Sequence, residues 1–177
     1  FGPDLRCGKI VRRDGWERYD LITGKASHIE EPYREVTIPL YGSPANRRVD
    51  LIIRAFNDGI AFRYLFPRQE GWSSYEMLDE LTTFDPAGDP KILTMYLASY
   101  TTSHEGFYTQ TSYSRLDQDR LMEMPTLFTY PDGTYMAITE AAIRDYAGLY
   151  LCKEGDALLG KLSPLPGQER IKVQATL

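Results

Sequence analysis

The sequence has few of the residues that many functions require, above all cysteine, histidine and excess basic charge. Its 177 residues include two cysteines and two histidines, and 20 Lys and Arg against 25 Asp and Glu give a net charge of −5. Two cysteines are too few for a disulfide-stapled scaffold, and the sequence leaves open whether Cys7 and Cys152 are bridged. An acidic chain lacks the basic face that nucleic acid or an anionic membrane requires. No apolar run approaches the ~20 residues that cross a bilayer.

The same scarcity removes most catalytic and cofactor chemistry. His28 and His104 stand far from each other and from the two cysteines, without the paired spacing of a zinc site. No serine lies in a G-x-S-x-G pattern, and no glycines form a nucleotide-binding loop. We therefore assign no catalytic residue to this chain.

What the sequence does contain is tyrosine and a hydrophobic period of two. Thirteen tyrosines suit half-buried sheets and wet, carbohydrate-type surfaces. Apolar alternating runs flank Asn57-Asp58-Gly59, Pro131-Asp132-Gly133 and Lys153-Glu154-Gly155-Asp156. Each is a hairpin signal, because glycine supplies the positive φ that tight turns need. Eight or more strands joined in this way predict an antiparallel all-β fold, a sandwich or a barrel, in a single domain over 1–177.

Other segments give weaker signals. Residues 74–81 and 139–146 are the two candidates for short helical turns, and Asp14-Gly15 is a further candidate turn. The polar segment 99–121 is longer than ordinary loops, which indicates a functional or packing role. The chain begins at Phe1 and ends within an alternating segment, 171–177, so we expect a piece of a longer protein.

Glu140 is the candidate metal ligand. It follows the apolar strand 135–138 and precedes two alanines, so its carboxylate is accessible to a hard cation such as Ca²⁺. The alternative, which spacing alone favours, places Glu140 in the first turn of a short helix, where it complements the dipole. His104 and Glu105 are candidate sugar contacts in the segment 104–108, although an ordinary interface loop is the commoner meaning of such a pattern. We expect Trp16 and Trp72 to be buried core residues rather than sugar platforms.

Several strings together resemble the amino-terminal domain of glycoside hydrolase family 97. Residues 54–64, RAFNDGIAFRY, are similar to that domain's RAYNDGVAYRF hairpin, and residues 137–142 with 145–149 are similar to its ITEA…DYPGM segment. EGFY at 105–108 and KLSPL at 161–165 follow the same order and similar spacing. The resemblance covers the chain from about Tyr33 to Leu177.

That resemblance implies a role in a larger enzyme. The family comprises periplasmic or secreted exo-acting α-glucosidases and α-galactosidases, typical of Bacteroidetes. Their amino-terminal super-sandwich, similar to the galactose mutarotase fold, packs on a catalytic (β/α)₈ barrel of the same polypeptide. The catalytic carboxylates lie in that barrel, so the present chain alone is expected to be inactive on α-linked oligosaccharides. The sandwich contributes one glutamate to an active-site Ca²⁺, and by motif position this residue is Glu140.

Two alternatives remain open. The chain could be a stand-alone carbohydrate-binding β-sandwich that uses the segment 99–121. It could also be a mutarotase-like sugar epimerase, which requires a histidine and a glutamate as acid and base. His28 and His104 are the histidines available for that chemistry.

Overall fold

The computed structural model is built from strands that pair antiparallel, which confirms the predicted all-β class. It describes residues 4–43, 45–144 and 146–168, together with the backbone of 173–176. Within these ranges there is one turn of 3₁₀ helix, Tyr113–Arg115, and no α-helix. The described part of the chain contains no helix with the length and apolar character of a membrane span.

The chain divides into two compact units, residues 1–73 and 74–176. The prediction of a single domain over 1–177 remains a prediction. The first unit is a sheet in the order β1-β3-β4-β5, in which β2 also pairs with the long strand β3. Its strands are β1 (Arg6–Cys7), β2 (Val11–Asp20), β3 (His28–Gly42), β4 (Arg47–Ala55) and β5 (Ile60–Leu65).

The predicted hairpins form, although glycine does not act in the same way in each. Strands β4 and β5 are joined through Asn57-Asp58-Gly59, and the Phe56 amide donates to the Gly59 carbonyl at 2.8 Å. Gly59 has no left-handed backbone, so the positive φ expected there is wrong, because a four-residue loop does not need a primed turn. Gly133 and Gly155, at φ 86° and 60°, do adopt the expected conformation.

The turn predicted at Asp14-Gly15 is wrong, because both residues lie inside β2. Gly15 pairs with Tyr33 on β3, and the tyrosine ring covers it. A Cβ atom at Gly15 would lie 2.5 Å from Tyr33 Cζ. Glycine is therefore required here by the close approach of a ring rather than by a turn.

The second unit holds three sheets, with strand orders β10-β8-β12-β13, β7-β15-β14-β11-β9 and β16-β6. Its core contains fully buried apolar side chains from both larger sheets, including Ile92, Met122, Phe128, Leu151 and Leu158. The strands are β6 (Ser74–Met77), β7 (Thr83–Phe84), β8 (Lys91–Thr94), β9 (Tyr96–Leu97), β10 (Thr109–Ser112), β11 (Leu121–Met122), β12 (Thr126–Thr129), β13 (Tyr135–Ile138), β14 (Leu149–Glu154), β15 (Ala157–Leu162) and β16 (Val173–Thr176).

Neither candidate helical turn forms among the residues of 74–81 and 139–146 that the structure describes. Residues 74–77 are strand β6, because pairing with β16 satisfies their backbone in an extended conformation. The described residues of 139–146 are irregular. The polar segment 99–121 is not one continuous loop, since it contains strand β10 and the 3₁₀ turn. Of the alternating segment 171–177, residues 171, 172 and 177 lie outside the described residues.

Of the two tryptophans predicted to be buried, Trp72 is 7% exposed and confirms the prediction. Trp16 is 54% exposed, so the prediction is wrong for it. The Arg18 guanidinium lies 5.3 Å from the Trp16 ring centroid and partly covers the indole. Both cysteines are free thiols, Cys7 exposed and Cys152 buried.

Candidate functional site

The candidate site residues meet at one end of the four-stranded sheet in the second unit. The pairing register aligns Thr94 with Thr109, and Thr126 with Ile138. The hydroxyls of Thr94 and Thr126 lie 3.1 Å apart, so the four residues form one row across the sheet. Residues 104–108 lead into β10 at this row, Glu123 precedes β12, and Glu140 follows β13. Positions far apart in sequence are thus brought to the same sheet end.

Glu140 lies in irregular backbone beyond β13 and is half-buried. Its Oε2 accepts a hydrogen bond from the Leu149 amide at 3.1 Å. Burial raises the pKa of the Glu140 carboxyl, and the nearby Glu80 charge raises it further, while the Leu149 amide acts in the opposite direction. No described residue beside Glu140 is helical, so the helix-dipole interpretation of this residue is wrong.

Glu80 places a second carboxylate near Glu140. The Thr82 hydroxyl donates to Glu80 Oε1 at 2.5 Å, and the Tyr146 hydroxyl donates to Glu80 Oε2. The Tyr146 hydroxyl also lies 2.8 Å from the sulfur of Met77. Hydroxyl donors thus hold the Glu80 carboxylate in place within reach of the Glu140 charge.

His104 is held by a carboxylate on one side and faces a phenol on the other. Its Nδ1 lies 2.9 Å from Glu123 Oε1, and its Nε2 lies 3.5 Å from the Tyr150 hydroxyl. The backbone of His104 is left-handed, at φ 55°. The second oxygen of Glu123, Oε2, is buried and has no hydrogen-bond partner among the described residues.

Tyr150 connects these two groups of residues. Burial raises the pKa of its phenol, and the charges of Glu123 and Glu140 raise it further. The phenol therefore stays protonated at neutral pH and lies within electrostatic reach of both carboxylates. We call the whole set the polar cluster: Glu80, His104, Glu123, Glu140, Tyr146 and Tyr150.

Sequence reasoning found two members of the polar cluster and missed the other four. Glu123, Tyr150 and Glu80 carry no local motif, and only the tertiary structure brings them near Glu140 and His104. Tyr146 falls inside the second string of the family resemblance, which was a usable signal. Glu105 is exposed and makes no hydrogen bond or ion pair with the described residues, so the structure does not place it in the cluster.

Glu140 by itself fits one position in the coordination shell of a hard cation. Its Oε2 is fixed by the Leu149 amide, and Oε1 has no hydrogen-bond partner in the described part of the chain. Ca²⁺ takes six to eight oxygen ligands, roughly, so most would come from outside these residues. Within the described residues, the one group of three potential metal donors is Asp119, Cys152 and Glu154, which does not include Glu140.

The chain is similar to known glycoside hydrolases. The chain is 28% identical to the "Retaining alpha-galactosidase" of Bacteroides thetaiotaomicron over 94% of its own length. That alignment covers 26% of the relative, so the chain spans about a quarter of the curated protein it matches.

Solved structures show the same fold. A glycoside hydrolase family 97 enzyme from Pseudoalteromonas sp. strain K8, in complex with acarbose, matches 97% of the chain with a TM-score of 0.77 at 21% identity. A beta-arabinopyranosidase matches 98% with a TM-score of 0.83 at 19% identity. The chain covers 27% and 30% of those two proteins. The family described as "Glycosyl-hydrolase 97 N-terminal" matches residues 2–175, and the chain belongs to it.

Proposed function

We propose that this chain is the non-catalytic amino-terminal domain of a calcium-dependent exo-acting α-glycosidase, a periplasmic or secreted enzyme. In this proposal the domain packs on the catalytic barrel of the same polypeptide, and Glu140 supplies one ligand to an active-site Ca²⁺. The observation that carries the proposal is the setting of Glu140: a half-buried carboxylate in non-helical backbone, with one oxygen fixed by an amide. The family membership and the name of the Bacteroides relative support the glycosidase class.

The domain's own residues would position charge rather than carry out the reaction. A bound Ca²⁺ would orient the substrate and stabilise developing negative charge, while two barrel carboxylates perform the acid and base steps. The Leu149 amide fixes the direction of the Glu140 carboxylate. The protonated Tyr150 phenol lies within electrostatic reach of that carboxylate. In the same proposal, His104 and Glu105 contact the α-linked oligosaccharide from the loop that leads into β10.

The test uses the full-length enzyme that contains this domain. We would compare wild type, Glu140→Gln and the exposed control Glu31→Gln for hydrolysis of p-nitrophenyl α-glucoside and α-galactoside. A second readout, the rise in melting temperature on adding Ca²⁺ after chelation, reports the metal independently of activity. We expect Glu140→Gln to lose both the activity and the Ca²⁺-induced rise, while Glu31→Gln keeps both. Retention of both by Glu140→Gln would remove the metal role.

The non-catalytic part of the proposal has its own test. The 177-residue chain, purified alone, is expected to hydrolyse neither substrate. A hydrolytic rate that co-purifies with the chain and persists in an independent preparation would contradict the proposal.

The epimerase alternative also remains a prediction. His104 and Glu123 do form a pair, but one oxygen of Glu123 faces the histidine and the other is buried. Glu123 in this position orients the imidazole and does not face a sugar as a separate base. Polarimetry on glucose and galactose tests this alternative, and we expect no acceleration of mutarotation by the isolated chain.

A further inference from the structure

We infer that a groove on the second unit binds a neutral oligosaccharide. This Phe107 groove is lined by Tyr96, Phe107, Thr109, Arg115, Asp117 and Arg120. It uses neither Glu140 nor His104, so the inference goes beyond the proposed function.

The size of the groove suits a small ligand. Its volume is about 370 Å³, toward the lower end of the roughly 300–1,000 Å³ found for small-molecule sites. The groove is open along one side and is lined by donors, acceptors and an aromatic ring. An open polar groove of this kind can accept one or two rings of a chain that continues beyond it.

Phe107 provides the apolar surface. Its side chain is 97% exposed, so the whole ring is accessible to a ligand. The backbone that carries it is close-packed at the preceding residue, because a Cβ atom at Gly106 would lie 2.9 Å from the Met95 sulfur. The ring therefore projects from a supported position. The C–H face of a pyranose stacks on such a ring, while its hydroxyls stay free for polar contacts.

The polar wall opposite is pre-organised by Tyr96. The Arg120 guanidinium lies 4.2 Å from the Tyr96 ring centroid and 2.5 Å from Asp117 Oδ2. The Tyr96 hydroxyl accepts a hydrogen bond from the Asp117 amide at 2.9 Å. Tyr96 thus contacts both the Arg120 guanidinium and the Asp117 backbone, and Arg120 is ion-paired with the Asp117 side chain. Donors and acceptors held in this way bind sugar hydroxyls at a reduced cost in side-chain entropy.

The floor of the groove adds neutral hydroxyls. Thr109 and Thr111 alternate along β10, so both side chains point to the same side of this edge strand. Arg115 lines the groove and forms no salt bridge with any described residue, although the Asp89 carboxylate is near enough to interact with its charge. Asp89 and Asp117 offset the charges of the two arginines, so the groove with its two threonine hydroxyls favours a hydroxyl-rich, uncharged ligand. The net charge of −5 argues against nucleic acid as the occupant.

The experiment is an NMR titration of the ¹⁵N-labelled 177-residue chain with maltotriose, raffinose and cellotriose. We expect saturable shifts at the amides of residues 107–111 and 115–120 with at least one α-linked sugar. Phe107→Ala should weaken that affinity by about two- to tenfold, the scale of one lost ring contact. Tyr135→Ala is the matched control, since Tyr135 is a 67% exposed aromatic on the opposite edge strand of the same sheet. It should bind as wild type does.

A second variant covers the polar side of the groove. Arg115→Gln removes an exposed guanidinium without touching the core, and we expect it also to weaken the affinity. Absence of saturable shifts with all three sugars would overturn the inference, and Phe107 would then be a contact for another protein segment. Binding that neither variant changes would overturn it equally. Such failures leave the Glu140 proposal intact, because that proposal is judged by Ca²⁺ and activity in the full-length enzyme.

Discussion

Replacing Glu35 with glutamine is expected to destabilise the first unit far more than the same change at Glu30. Both residues lie on β3 and both pair with arginine, but their surroundings differ. Glu35 is 3% exposed and accepts from Arg13 at 2.6 Å and from Arg54 at 2.7 Å. Glu30 pairs with Arg18, and both of those side chains are about half exposed. The comparison therefore isolates the effect of burial on a carboxylate–guanidinium pair.

The magnitude follows from what the variant leaves behind. Glutamine at position 35 keeps the shape of the side chain but removes the charge that both arginines face. Arg13 is well exposed and can turn to water, whereas Arg54 is about three-quarters buried and keeps Glu17 and the Tyr33 ring as partners. We expect a loss of about 2 kcal/mol in the free energy of unfolding, the scale of one or two charged hydrogen bonds. Glu30→Gln should cost below about 1 kcal/mol, as exposed ion pairs do.

The assay is urea unfolding of wild type and both variants, at neutral pH and in acid. The hydrogen bond from Arg13, helped by that from Arg54, lowers the pKa of the Glu35 carboxyl against the opposing effect of burial. A lowered folded pKa contributes stability that is present above the ordinary value of 4.5 and is lost as the pH falls through the folded pKa. The difference in the free energy of unfolding between wild type and Glu35→Gln should therefore become smaller in acid. If Glu35→Gln and Glu30→Gln lowered the free energy of unfolding equally at neutral pH, the reasoning would be refuted.

Two further predictions concern packing and reactivity. Gly15→Ala should lower the free energy of unfolding by about 1–3 kcal/mol, because the new methyl group displaces the Tyr33 ring. Gly59→Ala is the control and should be near neutral, since no atom lies within 4 Å of its Cβ position. Equal melting temperatures of the two variants would contradict this prediction. Cys7 should react quickly with Ellman's reagent in the native protein, and Cys152 should react only on unfolding, since burial raises the pKa of its thiol. Two fast thiols in the native state would contradict this second prediction.

The hairpins were predictable because their signals are local. Asp132-Gly133 and Gly155-Asp156 impose backbone conformations within four residues, whatever the rest of the chain does. Asp14-Gly15 shows the limit of this reasoning, since the same dipeptide lies inside a strand. There a ring on the neighbouring strand, invisible in the local sequence, determines the need for glycine.

The predictions for the short segments and for Trp16 were wrong for a related reason. Residues 74–77 have no decisive period, and their conformation is set by β16, about a hundred residues later in the chain. Burial of single aromatics is equally non-local. Trp16 and Trp72 each follow a glycine, yet one is exposed and the other buried, because the difference depends on which elements cover each ring.

The sequence by itself determined the all-β class, three hairpins, the family resemblance and the choice of Glu140 and His104 as site candidates. These depend on short patterns of residues, which act through local backbone preference and through motif order. Only the tertiary structure decided that Glu123 pairs with His104, that Tyr150 lies beside His104 and within electrostatic reach of Glu140, and that an exposed Phe107 borders a polar groove. The physical reason is that strand pairing is non-local. Antiparallel pairing places β8, β10, β12 and β13 side by side, and no local signal specifies which strand ends then lie together.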